Sequence, residues 1–132
     1  MKYLFSEQRL QMRADLFLTK SVPALAVMAE NHDYKHFVMY SELLPERHKD
    51  MLFAAAALHP FLILVEWNDV VRGSGIEEVC PLIEEDRAAT FNAGAGVQPV
   101  VWFRIDDDDL LATDYLTRLE TYRTPNHLGM VI

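Results

Sequence analysis

Along residues 7–20, Leu10, Met12, Leu16 and Phe17 recur among Arg, Gln and Asp, a spacing that predicts an amphipathic helix. Ser21 and Pro23 then mark either a fresh helix start or a kink in one longer helix, which continues through the apolar run 24–29 and stops before Asn31. His36 to Tyr40 is apolar without helical period and bounded by charged residues, as expected of a short buried strand. Pro45 and Glu46 suit the first turn of a helix whose buried face is Met51, Leu52, Ala55, Ala56 and Leu58, up to Pro60. Phe61 to Trp67 reads FLILVEW, a run without breakers that predicts a strand covered on both faces.

The second half is less regular. Gly73-Ser74-Gly75 and Gly94-Ala95-Gly96 read as loops, and residues 81–92 as a helix with Glu84, Glu85, Asp86 and Arg87 on its wet side. Val100 to Ile105 predicts a third strand. Residues 110–122 predict a helix with Leu111, Tyr115, Leu116, Leu119 and Tyr122 on one face, stopped by Pro125 and Asn126, and the closing Gly129 to Ile132 predicts another strand. Helices alternating with strands imply an α/β fold, a mostly parallel sheet flanked by helices, within one domain spanning residues 1–132. The chain opens on a helix where such a sheet commonly opens on a strand, and closes on apolar residues, so it is expected to form part of a larger fold.

Composition narrows the function classes. A hydrophobic fraction of 51% over 132 residues suffices for one packed core. With 12 basic against 20 acidic residues the net charge is −8, which offers no broad positive field to nucleic acid or anionic lipid. The one cysteine, Cys80, cannot form an internal disulfide and reads as a buried thiol in a reducing compartment. Neither an apolar leader nor a run long enough to span a bilayer is visible, so the expected location is cytoplasmic. The histidines at 32, 36, 48, 59 and 127 lack metal-ligand spacing, and neither glycine pair extends into a phosphate-binding loop.

The chemistry concentrates in Asp106, Asp107, Asp108 and Asp109, four carboxylates that follow the expected third strand and precede a helix. Open α/β sheets bind ligands at the carboxyl ends of their strands. In extended backbone Asp106 and Asp108 point the same way and converge, while Asp107 and Asp109 face elsewhere. Mutual repulsion of such a pair is relieved by a hard divalent cation, Mg²⁺ or Mn²⁺, with positions left over for water and diphosphate oxygens. Asp109 could instead cap the next helix, and the plain alternative is a solvated acidic turn. Arg104 could pair with a carboxylate or with a donor phosphate. Trp67 and Trp102 read as core residues.

The run FRIDDDDLLATDYLTRLETY resembles the segment around the DxD motif of GT-A glycosyltransferases. More narrowly, SVPALAVMAENHDYKHFVMYSELLPERHK, FLILVEW, RIDDDD with DYL, and the closing HLGMVI resemble the bacterial putative rhamnosyltransferase family, over roughly residues 13–132. The resemblance implies a GT-A (Rossmann-like) nucleotide-diphospho-sugar transferase half lacking its first strand and its acceptor-binding half. It implies a nucleotide-sugar donor, dTDP-rhamnose or a UDP-sugar, held through a divalent cation, with a saccharide acceptor that it does not name. Asp106 would face the nucleotide ribose and the metal, Asp108 would ligate the metal directly, and Asp69 could contact the base or ribose. The cation would stabilise the departing diphosphate electrostatically. His127 lies in a segment shared with that family. The rival reading is a non-catalytic α/β fragment acting as an interaction module. An unpaired terminal strand would favour a homodimer through an exposed sheet edge.

Overall fold

A computed structural model describes residues 6–67, 85, 101, 103–107, 109–124 and 126. Helix α1 spans Glu7–Leu16, a π-helical segment spans Phe17–Ser21, and α2 spans Val22–Ala29. The three run on without a break, so of the two expectations for Ser21 and Pro23 the single longer helix is the one found, with a π segment in its middle. Proline lacks the amide donor and its ring pushes on the carbonyl four residues back, here Thr19, which widens the preceding turn. Thr19 adds to the distortion by donating its hydroxyl to the Asp15 carbonyl. The helix stops at Asn31, which takes a left-handed conformation with φ of 64° while His32 N–H closes the last turn onto the Ala29 carbonyl at 3.1 Å.

Strands β1 (His36–Ser41) and β2 (Leu62–Trp67) pair in parallel, with His36 opposite Leu62 and Ser41 opposite Trp67. Helix α3 (Glu46–Leu58) makes the crossover a parallel pair requires. Pro45 caps it from outside the first turn, its carbonyl accepting the His48 and Lys49 amides at 2.9 and 3.1 Å. Alternation puts Val38 and Leu62 on one face of the sheet, where they join Phe17, Val22, Leu52, Ala55 and Ala56 in the first core. Phe37, Met39, Ile63 and Val65, on the other face, are only half-buried, so the described elements cover one side of the strand expected to be covered on both.

A second core joins α2 to helix α4 (Tyr115–Glu120) through Leu25, Met28 and Leu116, with Tyr34, Phe61, Phe103, Leu111, Tyr115 and Leu119 packed around them. The α/β class with a parallel sheet flanked by helices is as expected, and two elements differ. The third strand does not appear at residues 101 and 103–105, which take no regular structure. Phe103 instead buries its ring by stacking on Tyr34 at 5.9 Å and meeting Tyr115 edge-on at 5.3 Å. The helix expected over 110–122 is confined to α4. Ala112 to Asp114 form a turn before it, with Thr113 and Asp114 of the types that favour caps over helix interiors, and Tyr122 lies past its end, exposed. Residues 73–75, 94–96 and 128–132 lie outside the described residues, as does the expected helix 81–92 apart from Glu85, which is helical.

Candidate functional site: an acidic turn tied to the first helix

The acidic run is a turn. The Asp109 amide donates to the Asp106 carbonyl at 3.1 Å, closing residues 106–109 on themselves. This departs from the extended backbone expected for the run; Asp108, the other half of the expected convergence, lies outside the described residues. Asp106 and Asp109 are exposed and make no ion pair among the described residues, whereas Asp107 is half-buried. Asp109 does not cap α4, whose first residue is preceded by Asp114; the Asp114 carboxylate instead accepts from Arg118 Nε at 2.8 Å.

Asp107 faces the body of the molecule. Arg13 of α1 grips its carboxylate with two donors, Nε to Oδ2 at 2.8 Å and Nη2 to Oδ1, the fork-to-fork geometry that makes Arg–carboxylate pairs strong. Ser21, at the end of the π segment and 4% exposed, donates its hydroxyl to the Asp107 backbone carbonyl at 2.8 Å. Leu110 and Leu111 then lead along α2 into the second core. Arg104 is exposed and makes no ion pair among the described residues.

Asp69, Asp108, Cys80, Trp102 and His127 lie outside the described residues. Among the described residues no three His, Cys, Asp or Glu side chains gather into a metal-binding group. Two pieces of the site were missed in the sequence, Arg13 and Ser21. Their signal was present: Arg13 falls between Leu10 and Phe17, both buried, and Ser21 is a hydroxyl beside the buried Val22. A cation or hydroxyl on a buried stripe calls for a partner from elsewhere in the chain.

The sequence profile of the family described as "Putative rhamnosyl transferase" matches residues 1–127. The chain belongs to that family. The match takes in α1, both strands, the acidic turn and α4, and so covers the whole described site. Comparison with curated proteins and with solved structures found no match. No helix among the described residues is long and apolar enough to cross a membrane.

Proposed function

We propose that this member of the rhamnosyl transferase family binds the donor of a GT-A type glycosyl transfer, taking a nucleotide-sugar at the acidic turn. The observation that carries the reading is the division of labour within the turn. One carboxylate, Asp107, is paired with Arg13, while Asp106 and Asp109 at its two ends are exposed and have no ion-pair partner among the described residues. Exposed oxygen donors suit Mg²⁺ or Mn²⁺, which bind through one or two carboxylates and fill their remaining positions with water and phosphate oxygens. The exposed Asp106 suits such a cation, and together with Asp108 it is proposed to hold it. When bound, it supplies positive charge where the diphosphate leaving group develops negative charge.

The protein's own groups then bind and orient. Arg104, exposed just ahead of the turn, is proposed to contact a donor phosphate, and Asp69, after β2, to contact the nucleotide base or ribose. The sugar is rhamnose or a related hexose, delivered from dTDP or UDP to a saccharide acceptor.

Saturation-transfer NMR with Mg²⁺ tests the reading. Nucleotide protons of dTDP-rhamnose or a UDP-sugar should receive saturation from the native chain, and lose it on chelation or in Asp106→Asn. No transfer to either donor would favour a non-catalytic α/β module instead.

A further inference from the structure

Four adjacent carboxylates repel one another, and a contact from outside the run helps to hold its shape against that repulsion. Here the restraint comes from one helix. Arg13 and Ser21 lie eight residues apart, and in an undistorted α-helix they would point about 80° apart around the axis. The π segment Phe17–Ser21 has wider turns, which takes up much of that offset and brings both donors to the same residue of the turn. Arg13 takes the Asp107 side chain and Ser21 takes its main chain, so both the charge and the backbone position of that residue are fixed.

We propose that Arg13 and Ser21 are positioning residues for the donor site, and that Asp107 is the anchor of the acidic turn and not a ligand of the cation. The inference rests on the donor-site reading above and deepens it by dividing the run into one anchoring and several presenting carboxylates. Engaging the Asp107 carboxylate inward leaves Asp106 and Asp109 at the surface, and the Asp109–Asp106 hydrogen bond keeps them on one closed turn. A cation then meets Asp106 on a turn already fixed in place, and groups that orient ligands from behind in this way control affinity.

Two readouts on the full chain separate this inference from the reading it rests on. The first is amide hydrogen exchange at Asp109, whose N–H closes the turn; the second is Mn²⁺ affinity. Arg13→Gln should speed exchange at Asp109 and weaken Mn²⁺ binding about tenfold or more. Ser21→Ala should move both in the same direction by less. Arg13→Lys, which keeps the charge without the two-pronged geometry, should recover only part of the loss. Exchanging the charges, Arg13→Asp with Asp107→Arg, should recover more than either single change. Unaltered exchange and affinity in Arg13→Gln would overturn the proposal, as would Asp107→Asn abolishing Mn²⁺ binding while Arg13→Gln leaves it intact. A native chain that takes up no Mn²⁺ would overturn the donor-site reading, and exchange at Asp109 would still decide the anchoring.

Discussion

His36 stands half-buried at the first rung of the parallel pair, with its Nδ1 2.7 Å from the Tyr34 hydroxyl. Burial lowers the imidazole from its ordinary value to about 4 and raises the Tyr34 phenol, so near neutral pH both groups are neutral and share one hydrogen bond whose direction is set by the ring's tautomer. Because the folded ring resists protonation, the unfolded chain binds the extra proton between pH 6.5 and about 4. Stability attributable to His36 is therefore complete above pH 6.5 and falls through that window, by up to about 3 kcal/mol. Urea unfolding from pH 7.5 to 4 should show the loss, and His36→Phe should flatten the part of it that this ring contributes. Equal slopes in both proteins would contradict the assignment. At this scale the sequence singled out the aspartate run but not which of its carboxylates turns inward, since that depends on Arg13, 94 residues away.

Elements with a strong local pattern were legible, and those that depend on distant partners were not. Strand β1, helix α3 and strand β2 fall within a residue or so of their expected bounds, because their apolar residues and flanking prolines act locally. The run 100–105 has equally strong strand composition, yet Phe103 satisfies its apolar ring against Tyr34 and Tyr115, which no local rule reports. The π segment was legible only as an ambiguity at Ser21 and Pro23. The end of α2 gives an element-scale prediction through Asn31 and its φ of 64°. Asn31→Ala should cost about 1 kcal/mol, because a β-carbon without a polar group is disfavoured there, while Asn31→Gly should be neutral or stabilising. Thermal melts of the two variants check this, and an alanine variant as stable as the native chain would argue against Asn31 as the helix stop.

For the molecule as a whole, the parallel α/β arrangement and the rhamnosyl transferase family were both readable from the sequence, the family because its segments recur in order along most of the chain. The expected homodimer through an open sheet edge is a whole-molecule proposal, motivated by the tendency of an unpaired strand to pair with a second copy. Light scattering should show the weight-average mass rising with concentration, and a constant monomer mass over a wide range would count against it. The acidic turn links the scales: a buried serine in a π turn and an arginine on the first helix hold Asp107, while Asp106 and Asp109 are exposed.

The central claim, that this turn receives a nucleotide-sugar through a divalent cation, is tested most directly by calorimetric titration of Mn²⁺ with and without UDP or dTDP, on the native chain and on Asp106→Asn and Asp108→Asn. Saturable binding near one equivalent that tightens with nucleotide and is lost in both variants is the expected result. Weak, unsaturable binding that ignores the nucleotide and survives the substitutions would contradict it.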